Sequence, residues 1–232
     1  NIEQEQLANS QAADDLYLLG LIYLGQYKHN QAMEIFKKIL QLEPDNIAAQ
    51  WGVAECLRRQ HDYLLSEKIL NEVLEKDPNF SPAYLTLAYV RYMQMNFREA
   101  ARLSKVVIDQ GQQKADWENL IRAYGLYAGS RGMLAHYGGL ISKVIDGRTV
   151  LPYLKKAEQM SPDAPAVLFG LGSYYMLVPK LFGRDIEKAK LYLEKTIVLD
   201  PYFADAYVRL AQIYKKLGDK TNYSSYLAKA LD

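Results

Sequence analysis

Apolar residues recur along the chain at helical spacing, in blocks whose pattern repeats every 34 residues. The blocks "LYLLGLIY", "QWGVAECL" and "YLTLAYVR" place Gly20, Ala54 and Ala88 in register, and Ala32, Ser66 and Ala100 keep the same spacing. Each block predicts an amphipathic helix with a small residue where a neighbouring helix must come close. A short turn ("HDY", "MNF") and a second helix such as "QAMEIFKKILQLEP" follow. Pro44 and Pro78, also 34 residues apart, fall where that second helix must stop, because the proline ring clashes with the preceding turn.

These residues resemble the tetratricopeptide repeat, a helix–turn–helix unit. The first copy carries Leu16, Leu19, Gly20, Tyr23, Ala32, Phe36 and Pro44, and the second Val53, Ala54, Leu57, Ser66, Leu70 and Pro78. The third keeps Tyr84, Leu87, Ala88 and Ala100, but Arg91 and Ser104 replace larger apolar residues and the closing proline is missing. Trp117, Leu120 and Tyr124 open a fourth copy, with "LPYLKKAEQMSP" as its second helix. The fifth has Leu168, Leu171, Gly172, Tyr175, Ala189, Leu193 and Pro201, and the sixth Tyr207, Leu210, Ala211, Tyr214, Gly218 and Ala230. The resemblance implies an all-α, right-handed superhelical solenoid of about six units, forming a single domain over 1–232. The units would be 13–46, 47–80, 81–113, 114–164, 165–203 and 204–232. Residues 1–12 read as a polar lead-in.

Two stretches break the pattern. In "GSRGMLAHYGGLISKVIDGR", residues 129–148, the residues Met133, Leu134, Tyr137, Leu140, Ile141, Val144 and Ile145 have helical spacing. "GSRG" and "DG" read as bounding turns. The expectation is an extra helix of about three turns inserted in the fourth unit, with Gly138 and Gly139 inside it. A smaller insert, 178–182, lies in "LVPKLFGRD", where Pro179 ends a helix and leaves Leu181 and Phe182 on a loop. Both inserts fall between the two helices of their unit, so they are expected to pack together on one edge. Met133, Tyr137, Leu140, Leu181 and Phe182 would then form a platform, either a structural plug or a docking site. Pro179, Phe182, Gly183, Asp185 and Ala189 are also similar to a stretch of bacterial envelope repeat proteins, including the helical partner of tripartite transporters. Arg184 stands where that group often has glycine.

Net charge is +1 with Lys and Arg dispersed, which predicts no footprint for nucleic acid or an anionic membrane surface, and no apolar run is long enough to span a membrane. Cys56, the one cysteine, sits among apolar neighbours as a buried thiol. His29 and His61 read as equivalent turn residues, and neither they nor His136 has metal-ligand spacing. Asp14–Asp15, Asp45, Asp163 and Asp205 read as helix caps or first-turn acids. No phosphate-loop signature is present. The expectation is a non-enzyme with no cofactor and no metal. The chain opens on Asn1; a removed export signal would suit a bacterial periplasm or envelope, with the cytoplasm as the alternative.

The resemblance places the first helix of each unit along a concave groove. Tyr17, Leu21, Trp51, Glu55, Arg58, Leu85, Tyr89 and Tyr92 would line it, followed by Glu118, Arg122, Phe169, Ser173 and Lys215. The Lys/Asn carboxylate clamp of the chaperone-binding branch is absent, since Tyr17, Leu21 and Leu85 occupy such positions. The expected function is a protein-interaction scaffold holding a peptide or protein segment on aromatic anchors, with Arg58 and Arg122 available for an acidic group. Trp51 could serve the groove or the packing between repeats. A transport accessory cradling a small hydrophobic or acidic ligand is an alternative. Self-assembly as a homo-oligomer through Tyr223, Tyr226 and Leu227 of the last helix is another.

Overall fold

The computed structural model describes residues 7, 10 and 12–231, so the expected lead-in lies almost wholly outside the described residues. Among the described residues there are twelve α-helices and no strand. They form antiparallel pairs: α1 (Ala13–Gly25) with α2 (His29–Leu42), α3 (Ile47–Arg59) with α4 (Tyr63–Lys76), and α5 (Ser81–Met93) with α6 (Phe97–Gln110). Next come α7 (Trp117–Tyr137) with α8 (Leu140–Met160), α9 (Pro165–Leu177) with α10 (Ile186–Leu199), and α11 (Ala204–Leu217) with α12 (Lys220–Lys229). Two compact units result, unit 1 to Ala115 and unit 2 from Asp116, each with three pairs.

In unit 1 the turn inside each pair is built alike. Tyr27, His61 and Met95 all take the left-handed conformation, with φ of 60°, 66° and 60°. An L residue is disfavoured there, yet the chain must reverse within three residues to bring the helices together. Directly after two of these residues, Asp62 and Asn96 cap α4 and α6 by accepting from Leu65 N and Glu99 N at 3.2 and 3.3 Å. His61 is therefore the counterpart of Tyr27 and Met95. His29 instead opens α2, so the two histidines are not equivalent. Asp14, Asp15 and Asp205 do lie in first helical turns. Asp45 and Asp163 instead pair with Lys76 and Lys195 at 3.1 and 2.8 Å. Where the third pair lacks a proline, Gly111 ends α6 at φ 62°, followed by a short 3-10 turn.

The small residues work as the pattern requires. Phe36 is fully buried between α1 and α3, and a Cβ added at Gly20 or Gly52 would lie 2.6 or 2.5 Å from its ring. Leu70 and Ser104 follow at 34-residue intervals, both fully buried; the Ser104 hydroxyl donates to Ala100 O at 2.8 Å. Cys56 is buried as expected, and burial first, then the nearby Glu55 carboxylate, pushes its thiol up to about 12.

The fourth pair corrects the sequence reading. No separate helix is inserted. The extra residues lengthen both members, so α7 and α8 have 21 residues each where the helices of unit 1 have 13 or 14. The glycines exchange roles. Gly138 and Gly139, expected inside a helix, form the turn, and a Cβ at Gly138 would lie 2.5 Å from both Leu134 O and Ser142 Cβ. Gly132 and Gly147, expected in bounding turns, lie inside the long helices, where added Cβ atoms would touch Val150 and Ala135 at 3.7 and 3.9 Å. Those are ordinary van der Waals distances, so the space at either position would accept an alanine. Arg131 Nε meets the buried Asp146 at 2.8 Å, and the Ser142 hydroxyl, with one proton to donate, lies within hydrogen-bond distance of both Leu134 O, at 3.0 Å, and the Asp146 carboxylate. That polar seam holds the hairpin closed. The helix also continues through Pro152, near the expected start of the regular second helix.

Pro179 does end the first helix of the fifth pair at Leu177, and residues Lys180–Phe182 form a 3-10 turn. The expected packing of that turn against the 133–145 stretch does not occur. No Cα of Lys180–Phe182 comes within 8 Å of α7 or α8. The reason is the lengthening itself, which carries the glycine turn about 12 Å beyond where a regular pair would end.

Candidate functional site

The first helices of unit 1 place most of the expected groove residues in one cluster, but not all of them at the surface. Glu55 on α3 is 2% exposed and its carboxylate accepts four hydrogen bonds. Arg58 donates through Nε and Nη2 at 2.9 and 2.6 Å, Arg59 through Nε at 2.8 Å, and Thr86 of α5 through Oγ1 at 3.0 Å. Four donors saturate the acceptor capacity of a carboxylate. Thr86 in turn accepts from the Trp51 indole at 2.9 Å, and Arg59 Nη1 reaches Leu24 O at 3.0 Å. One carboxylate thus ties α3 to α5 directly and to α1 through Arg59.

This settles the role of Trp51. It is 5% exposed, hydrogen-bonded, and flanked by Tyr17 and Phe80 with ring centroids 6.4 Å away in each case. It is a packing residue. Leu85, 34 residues on, is buried as well. Arg58 is a second correction: its fork is engaged with Glu55 rather than waiting for a ligand acid. Burial alone would lower its pKa, but the hydrogen bonds and charge of Glu55 prevail and hold it above the usual value. The guanidinium lies 4.2 Å from the centroid of the Tyr89 ring, a cation–π contact.

Outside this core lies the accessible part. Tyr89 is 38% exposed and Leu21, its counterpart on α1, 36%. Met93 is exposed beside them, and Tyr92 is half-buried between Tyr89 and Phe97, at 6.5 and 5.2 Å. Tyr17 is half-buried against Phe36 at 5.9 Å. The surface is aromatic and apolar over a base carrying two guanidiniums and one carboxylate. Sequence reasoning missed Thr86 and Arg59, which complete the base. The signal available was Glu55 four residues before Arg59 on a helix, the spacing of an ion pair.

In unit 2, Arg122 is exposed on α7 with Nη1 3.3 Å from Asn119 Oδ1. Phe169 is half-buried on α9 against Phe203 at 5.1 Å. Met133 is half-buried, while Tyr137, Leu140, Leu181 and Phe182 are exposed. Among the described residues no three His, Cys, Asp or Glu side chains converge as a metal set, and no helix is long and apolar enough to cross a membrane.

His29 borders the cluster, and its pKa is lowered from the usual 6.5, first by burial and then by Arg59 and Arg58, against the raising effect of Glu55. The folded state therefore resists protonation that the unfolded chain accepts. Stability conferred by neutral His29 is present above pH 6.5 and declines as pH falls from there towards the lowered folded value. The urea midpoint of the wild type should drop between pH 7.5 and 5.5, and His29→Gln should flatten that drop. Equal pH dependence in both proteins would remove His29 from the account.

Comparison with known proteins agrees with this architecture. The profile of the second ARM domain of tetratricopeptide repeat protein 21 matches residues 12–123, and the tetratricopeptide repeat profile matches residues 204–232. The solved structure of PilF from Pseudomonas aeruginosa superposes with a TM-score of 0.61, covering 96% of this chain and 90% of that one at 16% identity. The chain belongs to the tetratricopeptide repeat proteins. Other solved structures share the fold. PilW, described as a widely conserved type IV pilus biogenesis factor, has a TM-score of 0.63 at 17% identity, covering 95% of this chain and 92% of that one. Human IFIT1, solved as a dimer with m7Gppp-AAAA, gives 0.72 at 17% identity, covering 95% of this chain but 50% of that one. In sequence, the NrfG subunit of the formate-dependent nitrite reductase complex of Escherichia coli O157:H7 is 25% identical over 122 residues. That match takes in 51% of this chain and 62% of NrfG, less than two thirds of the relative's length.

Proposed function

We propose that this tetratricopeptide repeat protein is a non-catalytic scaffold that holds a protein segment on the first-helix face of unit 1, in a bacterial cell envelope. One observation carries the reading: exposed Leu21 and Tyr89 flank a saturated, buried Glu55 cluster. Anchors on such a base are already ordered, so little side-chain freedom remains to be lost on binding. Large rings beside an arginine are the residues that most often dominate protein interfaces. The cluster's excess of one positive charge favours a segment with an acidic residue beside its apolar ones. Similarity to a pilus biogenesis factor and a reductase-complex subunit supports the envelope location.

Selection from a random peptide display library tests the reading. Enriched peptides should combine an aromatic or aliphatic residue with Asp or Glu, and should lose binding to a Leu21→Ser, Tyr89→Ala variant of unchanged helicity. Peptides that bind that variant as well as the wild type would place the docking surface elsewhere.

A further inference from the structure

The long α7–α8 hairpin carries an apolar tip that its own fold leaves uncovered. Leu140, Ile141, Val144 and Ile145 share one face of α8, at spacings of one, four and five residues. Leu140 and Ile141 are 82% and 76% exposed, and Tyr137, Val144 and Ile145 are exposed with them. The face of α8 bearing Ser142, Asp146 and Val150 is the one turned to α7, through Leu134 O, Arg131 and Gly132. The apolar face therefore points away from the hairpin's own partner helix. It sits at the end of a pair extended by about 12 Å beyond regular length.

The charge around the tip identifies what covers it. Residues 129–148 contain Arg131, Lys143 and Arg148 but a single acid, Asp146, with His136 as the remaining titratable ring apart from Tyr137. Asp146 is buried and paired with Arg131, so the exposed charges are the cations Lys143 and Arg148. A second copy of the same tip, related by a two-fold axis, would set these cations against themselves. An anionic lipid surface complements both features, with the apolar face entering the headgroup boundary and Lys143 and Arg148 meeting lipid phosphates. Tyr137 suits the same boundary, where an amphipathic ring has its apolar and wet ends satisfied.

A separate element repeats the composition. The α9–α10 turn contains Lys180, Leu181, Phe182, Gly183, Arg184 and Asp185, with Leu181 and Phe182 exposed and Asp185 engaged as the cap of α10 and with Lys188. Only residues 161–164 join α8 to α9, which makes successive helices antiparallel, so both turns lie at the same end of the unit 2 helices. We infer that this end of unit 2 is a peripheral membrane contact, with the α7–α8 tip lying in the interface of an anionic bilayer. The dispersed net charge of the whole chain conceals this local bias, and the inference is independent of the groove in unit 1.

Flotation with vesicles tests it. The wild type should float with three-to-one phosphatidylcholine and phosphatidylglycerol vesicles, and less with phosphatidylcholine alone or in high salt. Leu140→Ser with Ile141→Ser should lower partitioning about tenfold or more, and Lys143→Glu with Arg148→Glu should abolish the phosphatidylglycerol preference. Both variants should keep the wild-type helicity and melting temperature, since the altered side chains are exposed. The inference fails if the wild type stays with the soluble fraction, or if the Leu140/Ile141 variant floats undiminished. It also fails if light scattering shows a dimer that this variant converts to monomer, because a second copy then covers the tip.

Discussion

Phe36→Ala is expected to destabilise unit 1 by about 3–5 kcal/mol, the range for deleting a fully buried aromatic ring. The loss should fall high in that range because the site cannot collapse. The ring fills space left by Gly20 and Gly52, so three backbone segments, from α1, α2 and α3, bound the void. The converse change is also informative. Gly52→Ala would set a methyl 2.5 Å from ring atoms that cannot swing aside, and overpacking of this kind costs about 1–3 kcal/mol. Combined with Phe36→Leu, Gly52→Ala should cost less than it does alone, as expected of two residues competing for one volume. Urea unfolding of Phe36→Ala, Gly52→Ala, Phe36→Leu and the Phe36→Leu, Gly52→Ala double variant measures this. A Phe36→Ala loss under about 1 kcal/mol would contradict the packing described.

Glu55→Ala should be of similar size, about 3–5 kcal/mol, because it removes one partner of a buried ionic cluster and leaves the others unpaired. Arg58, with 13% of its side chain exposed, would lose both hydrogen bonds that its fork makes to the carboxylate, and Thr86 would lose its acceptor. Comparison with Glu99→Ala separates burial from charge. Glu99 also pairs with an arginine three residues on, Arg102, but that arginine is mostly exposed, and such pairs contribute about 0–1 kcal/mol. Replacing Glu55 by Leu together with Arg58 by Met should recover part of the loss, since the charge then left without a carboxylate is Arg59, which is 26% exposed and keeps its bond to Leu24 O. If Glu55→Ala and Glu99→Ala lower the unfolding free energy equally, the cluster is not the anchor between α3 and α5.

Much of the fold was legible because the pattern is redundant. Gly20, Ala54 and Ala88 repeat a packing requirement, and a stop such as Pro44 repeats a steric one, so helix positions followed from agreement among copies. The fourth pair had no second copy to compare with. There Gly138 and Gly132 are chemically identical in sequence, and which one turns the chain depends on Asp146 meeting Arg131 across the hairpin, a contact between residues 15 apart that periodicity does not encode. The site was half legible for a related reason. Register put Trp51, Glu55 and Tyr89 on the first helices, but it could not say which would be covered. That was decided by Thr86 and Arg59, whose hydrogen bonds draw Trp51 and Glu55 inward and leave Tyr89 outside, against the Arg58 guanidinium.

The central claim is that this face has two layers, a buried one that joins the hairpins and an exposed one that receives a partner. Measuring unfolding free energy and affinity for a display-selected peptide on Trp51→Ala and Tyr89→Ala tests it most directly. Tyr89→Ala should unfold nearly as the wild type does yet lose about tenfold or more in affinity, whereas Trp51→Ala should lose about 3–5 kcal/mol of stability. A Tyr89→Ala protein that binds the peptide at wild-type strength, or a Trp51→Ala protein as stable as the parent, would contradict it.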